Sequence, residues 1–147
     1  MSICDIYRAA DISSLPVDPV EAAGAVGVKT VSYADFCGVY CRNIEEMYRV
    51  SRCGFSFEEN GRLVIAVNEN ACGLRRRRFT IAHELGHCVL GHVRSGRLPN
   101  GGEEREADRF AAALLAPAAV LRACAVRSPE ETARLCGITI SAARIRF

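Results

Sequence analysis

The sequence carries almost no excess charge: 19 basic and 17 acidic side chains leave a formal +2 over 147 residues. Global electrostatic attraction therefore does not make nucleic acid or an anionic membrane an obligatory partner. Long apolar runs are missing as well. The most apolar stretch, Phe110 to Leu121, is far shorter than a bilayer span, is interrupted by Pro117 and is flanked by Arg109 and Arg122, so no transmembrane helix is expected. Near the N-terminus, Asp5, Arg8 and Asp11 interrupt the segment that a secretory signal keeps apolar. Export by that route is not expected, and residence in the cytoplasm is. Repeats, low-complexity tracts and long linkers are also lacking, so the expected organisation is one domain over residues 1–147.

Apolar side chains are abundant, at 50% of residues, which is enough for a core that needs no covalent staples. The eight cysteines, Cys4, Cys37, Cys41, Cys53, Cys72, Cys88, Cys124 and Cys136, are accordingly read as reduced thiols, most of them serving as small hydrophobic residues. Cys37 and Cys41 could share a helical face, but no second close pair supplies zinc-ribbon spacing.

Local patterns divide the chain into a mixed first half and a helical second half. Asp18-Pro19-Val20-Glu21 has a capping aspartate, a proline suited to the first helical position and an acid in the first turn, so a helix begins there. Val28 to Tyr33 is rich in β-branched residues and reads as a strand, and Ala34 to Tyr48 leans toward helix. Phe55-Ser56-Phe57 and Leu63 to Val67 flank Asn60-Gly61, whose tolerance for positive φ makes a tight hairpin turn. From about Leu74 helices are expected near residues 75–92, 103–115, 117–124 and 129–136, with a shorter one from about 140. A small, mostly antiparallel sheet followed by helices is an α+β fold.

His83-Glu84-Leu85-Gly86-His87 matches H-E-x-x-H on the first of these helices. Residues four apart stand one turn above each other, so both imidazoles can reach one zinc ion, with Glu84 beside them as general base. Phe79, Ile81, Ala82, Leu85, Cys88, Val89 and Leu90 make this helix apolar almost all round, as an internal helix is. Polar groups on such a helix need partners, and a metal satisfies both rings at once.

Two histidines leave the ligand set incomplete. His92, five residues beyond His87, does not fit the metzincin pattern; it is read as a helix-end residue favoured by the dipole, with a possible contact to substrate or oxyanion. The third ligand is expected from Glu103-Glu104-Arg105-Glu106-Ala107-Asp108. In a helix whose buried face holds Ala107, Phe110, Ala111, Leu114 and Leu115, Glu104 lies at the edge of that face while Glu106, Arg105 and Arg109 point away. Glu104 is the expected ligand, Glu103 and Glu106 are alternatives, and Asp108 can receive the proton of a ligand histidine's second nitrogen. His92, Tyr40 and Tyr48 are chemically able to serve as an oxyanion donor. The strand Leu63 to Val67 is a candidate edge for pairing with an extended substrate.

Arg76 to Pro117 contains two segments, Arg76-Arg77-Arg78-Phe79-Thr80-Ile81-Ala82-His83-Glu84-Leu85-Gly86-His87 and Glu104-Arg105-Glu106-Ala107-Asp108-Arg109-Phe110-Ala111-Ala112-Ala113-Leu114-Leu115-Ala116-Pro117, that resemble the ImmA/IrrE family of zinc metallopeptidases. The hairpin Asn60 to Glu69 before them is similar too. The resemblance implies a gluzincin-like core, one zinc ion on His83, His87 and Glu104, and peptide-bond hydrolysis. It also implies a partner class, since members typically trigger removal of helix-turn-helix repressors or antitoxins in mobile elements, prophages or stress responses. Two other readings compete. One is a latent member that binds its repressor without cutting it; the other is a DNA-associated regulator using the basic run Arg75 to Arg78 and the segment Ser128 to Phe147, although direct nucleic-acid binding is the weaker expectation.

Overall fold

The structure, a computed structural model, describes residues 1–40, 43–94 and 96–147. Among these residues the elements run α1 (Ile3–Ala9), α2 (Pro19–Ala25), β1 (Lys29–Ser32), α3 (Tyr33–Tyr40), α4 (Ile44–Val50), β2 (Gly54–Glu59), β3 (Arg62–Val67), α5 (Leu74–Leu90), α6 (Gly101–Leu115), α7 (Ala118–Ala123), α8 (Pro129–Cys136) and α9 (Ile140–Arg144). The fold is α+β. Cys41, one half of the Cys37/Cys41 pair, lies outside the described residues.

The helix boundaries follow local chemistry. Asp18 caps α2 by accepting from the amides of Val20 and Glu21 at 2.8 and 3.4 Å, with Pro19 in the first turn. Asn100 and Glu103 form a reciprocal capping box at the start of α6, which satisfies amide donors that the helix itself leaves unpaired. Helix α1 was not among the expected elements. Its signal was present in Ser2 and Asp5, which make a capping box of their own, but seven residues offer little periodicity.

The sheet is mixed, with order β1-β3-β2. Asn60 and Gly61 both adopt positive φ, 50° and 75°, and close the antiparallel β2–β3 hairpin as its sequence requires. β1 joins β3 in parallel. Side chains alternate across β3: Leu63 and Ile65 face the main core, while Ala66 faces a smaller cluster with Tyr33 and Met47. On that second face Phe55 and Phe57 meet Phe36 edge-on, with ring centroids 5.6 and 5.3 Å apart.

The sheet order also moves the available edge. β3, the strand expected to offer one, is central and hydrogen-bonded on both sides, whereas β2 pairs only with β3 among the described residues. The sheet edges therefore belong to β1 and to β2, Gly54–Glu59, and not to β3.

The main core sits between α5, α6, the C-terminal helices and the sheet, with Ile65, Ala82, Leu85, Ala111, Leu114 and Ile138 fully buried. Helices α5 and α6 pass very close at Gly86, where a Cβ would stand 3.1 Å from Phe110 Cδ1 and 3.2 Å from Ala107 Cα. Glycine on one helix and alanine on the other permit this approach. The burial of α5 fades at its ends, where Leu74 and Leu90 are exposed. No described helix is long and apolar enough to cross a membrane.

Candidate metal centre

Helix α5 stacks His83 and His87 one turn apart, and their Nε2 atoms lie 3.0 Å from each other. The close crossing at Gly86 brings Glu104, in the first turns of α6, to the same point: its Oε2 is 3.2 Å from His83 Nε2 and its Oε1 is 3.4 Å from His87 Nε2. Ligands held ~2.0–2.1 Å from a tetrahedral ion stand about 3.3–3.4 Å apart. The three measured separations fall at that scale, and these residues group as a set able to hold a cation. Glu104 keeps 47% of its side chain exposed, so the set opens to solvent on one side.

The second nitrogen of each ring fixes its tautomer. His83 Nδ1 is 2.9 Å from Asp108 Oδ1; a carboxylate accepts, so Nδ1 carries a proton, and in the neutral ring Nε2 is the nitrogen with the lone pair. For His87 the partner is His92, with the two Nδ1 atoms 3.0 Å apart, and His92 Nε2 is in turn 3.1 Å from Glu106 Oε2. Glu106 holds the His92 proton on Nε2, so His92 Nδ1 accepts the proton of His87 Nδ1. In these neutral tautomers both rings aim a lone pair at the Glu104 carboxylate. Three electron-rich atoms facing one another call for a cation, and the donor set fits zinc.

Burial supports the same state. His87 is 2% exposed, and desolvation together with the neighbouring His83 and His92 rings pushes its pKa down to about 4. It is uncharged at neutral pH, as a metal ligand must be. Glu84 is also buried and points to the sheet side of α5, where the Ser56 hydroxyl donates to its Oε2 at 2.8 Å. Desolvation raises the Glu84 carboxyl above the usual range, with the Ser56 hydrogen bond and the His83 ring opposing the shift.

His83, Glu84, His87, His92 and Glu104 line a cleft of about 1210 Å³ whose other wall is β2 from Gly54 to Glu58. His92 stands just past the end of α5 and is itself only 5% exposed. Gly91 takes the left-handed conformation, φ 76°, and the His92 amide bonds back to His87 O at 2.9 Å, a Schellman-type ending that folds the ring under His87. Both His92 nitrogens are engaged, one with His87 and the other with Glu106. Glu106 is exposed on the outer side of α6 and reaches His92 from there, while Glu103 serves the α6 cap and pairs with Arg97 at 2.6 Å; the carboxylate that groups with His83 and His87 is that of Glu104. Tyr40 lines a separate hollow beside α3, and Tyr48 packs near Tyr33. Ser56 was missed, since a serine between two phenylalanines in a strand carries no distance information until the strand is placed beside α5.

The basic run is largely structural. Arg78 is half-buried and donates to the carbonyls of Gly137, Val17 and Cys136, while Arg77 donates to Glu69 O at 2.9 Å. Arg75 and Arg76 remain exposed.

An H-E-x-x-H helix, a carboxylate from the following helix and a strand along the cleft define a metallopeptidase-class fold and site. The model of the IrrE N-terminal-like domain, Peptidase_M78, matches residues 43–147, and the chain belongs to this ImmA/IrrE family of metallopeptidases. The match covers α4 to α9 with β2 and β3, and includes every residue of the centre. A search of curated proteins finds no match.

Proposed function

We propose that this protein is a zinc-dependent endopeptidase that acts in the cytoplasm on a helix-turn-helix repressor or antitoxin. One observation carries the reading: two tautomer-fixed imidazoles and the Glu104 carboxylate converge within 3.0 to 3.4 Å beside a buried glutamate, in an open cleft. His83, His87 and Glu104 hold the ion, which when bound supplies Lewis acidity that polarises a carbonyl and lowers the pKa of water toward ~7.

Glu84 moves the protons. Its raised pKa suits a group that takes a proton from the attacking water at neutral pH and returns it to the departing amine. The Ser56 hydroxyl orients its carboxylate. Along the opposite wall β2 has no partner strand on its outer edge among the described residues, and an extended substrate segment can add there as a further strand. That requirement favours a flexible linker within the target over a folded helical domain.

Glu84→Gln tests the chemistry, with retained zinc and lost cleavage expected. A zinc-loaded variant that cuts at the wild-type rate excludes the assigned role. For the target, the helix-turn-helix protein encoded beside this chain is incubated with it, with and without chelator. A new zinc-dependent fragment supports proteolysis, and a stable complex without a fragment supports sequestration instead.

A further inference from the structure

Four of the described cysteines lie outside both apolar clusters, and two of these, Cys4 and Cys124, are simply exposed. Cys88 and Cys136 belong to the main core and Cys37 packs against the smaller cluster, but Cys53 and Cys72 belong to neither. They meet each other instead, with Sγ atoms 3.1 Å apart. Cys53 stands one residue before β2 and lines the cleft; Cys72 lies in the turn that leads into α5.

The backbone on both sides is braced so that the contact is built in. Asn68, 1% exposed, accepts from the amides of Asn70 and Ala71 through its side-chain oxygen. Its side-chain nitrogen donates to Arg52 O at 2.9 Å, and its own amide donates to Cys53 O at 2.8 Å. Ser51 Oγ accepts from the amides of Cys53 and Gly54. One buried asparagine thus ties the turn before Cys72 to the residues beside Cys53. Both thiols are partly exposed, so a small oxidant reaches them, and a shift of about 1 Å in the sulfurs closes a disulfide of ~2.05 Å.

We propose that Cys53 and Cys72 form a redox-active dithiol, a site of reversible disulfide formation that joins the start of the cleft strand to the entrance of the metal-binding helix. The oxidant class is a low-molecular-weight disulfide. The Cys53 thiolate attacks one sulfur of oxidised glutathione, breaking its S–S bond, and a glutathione thiolate leaves and takes up a proton. The Cys72 thiolate then attacks the Cys53 sulfur of this mixed disulfide, and the second glutathione leaves as thiol. Two protein thiols lose two electrons in all, and one oxidised glutathione becomes two reduced ones. Burial and the neighbouring Cys53 thiol push the Cys72 thiol above its ordinary value, with Arg76 and Arg77 opposing that shift, so the geometry of the pair rather than a pre-formed Cys72 thiolate carries the assignment. The proposal does not depend on peptidase activity.

The full-length chain is equilibrated in a glutathione redox buffer, quenched by alkylation and mapped by mass spectrometry. The expected product is a monomer lighter by two hydrogens, with a Cys53–Cys72 cross-linked peptide that reductant removes. Its thermal unfolding midpoint should exceed that of the reduced form, because the bridge closes a loop between positions 19 residues apart. Cys53→Ser should abolish the cross-link and leave Cys72 as a glutathione adduct or free thiol. Because the wild-type map alone decides the assignment, a variant that folds poorly leaves the test intact. A first disulfide at Cys4 or Cys124, a bridge between chains, or persistent alkylation of both Cys53 and Cys72 where other thiols have oxidised overturns the proposal.

Discussion

His87 and His92 share a hydrogen bond between their Nδ1 atoms at 3.0 Å, and Glu106 anchors the far side of His92 at 3.1 Å. A ring that packs under a ligand and fixes its tautomer raises the ligand's basicity and restricts its orientation. His92→Phe, which keeps the volume and loses the acceptor, is expected to weaken zinc binding by about 10–100-fold. Competition with a chromophoric chelator measures this directly. Unchanged affinity in a folded H92F protein removes His92 from the centre's support.

The contact of Gly86 with Ala107 and Phe110 makes a second prediction. A side chain larger than hydrogen at Gly86 meets backbone atoms of α6, so Gly86→Val is expected to destabilise the fold by about 1–3 kcal/mol. Pushing α6 outward also carries Glu104 away from the histidines. Urea unfolding and zinc titration should therefore report linked losses, and a variant that keeps both properties speaks against the close crossing.

Arg78 separates a structural role from a nucleic-acid role. Replacing it by Met leaves the carbonyls of Val17, Cys136 and Gly137 without their donor, at an expected cost of about 2–3 kcal/mol. Arg75→Ala, at an exposed position, should stay within about 0.5 kcal/mol. Equal effects of the two substitutions on chemical denaturation contradict this assignment.

The pairing of Glu103 with Arg97 and with the Asn100 amide lowers its pKa to about 2 from 4.5. Between those values the unfolded chain takes up the proton and the folded chain does not, so stability falls as pH falls through that window. The contribution is fully present above pH 4.5 and lost near pH 2. With chelator present throughout, the difference in melting temperature between wild type and Glu103→Gln should be largest near neutral pH and shrink on acidification. A difference that stays constant with pH rules out the charge as its source.

Much of this arrangement was legible in the residues. H-E-x-x-H put His83 and His87 side by side because an interval of four is set by helix geometry alone, and Glu104 comes to the same point from the edge of the α6 face that Ala107 and Ala111 bury. The order β1-β3-β2 was not legible, because nothing local in Lys29–Ser32 says which side of the hairpin it joins. For the same reason the free edge was assigned to β3, and Ser56 escaped notice beside Glu84. The place of the His92 ring was not legible on a different ground: the reversal at Gly91 folds the chain back, and helical periodicity does not extend past a left-handed residue. The Cys53–Cys72 contact depends on Asn68, whose side chain bridges two loops that no pattern connects.

A strand that welcomes a guest on its outer side is equally open to its own twin. In β2 this exposure is short, and Glu58 and Glu59 sit at its distal end. Two such strands meeting antiparallel in register would bring carboxylates toward the partner's Gly54 and Phe55 rather than toward a basic match, a poor basis for self-pairing. The same six residues can thus remain hospitable to a foreign peptide while discouraging fibril-like stacking of the protein on itself.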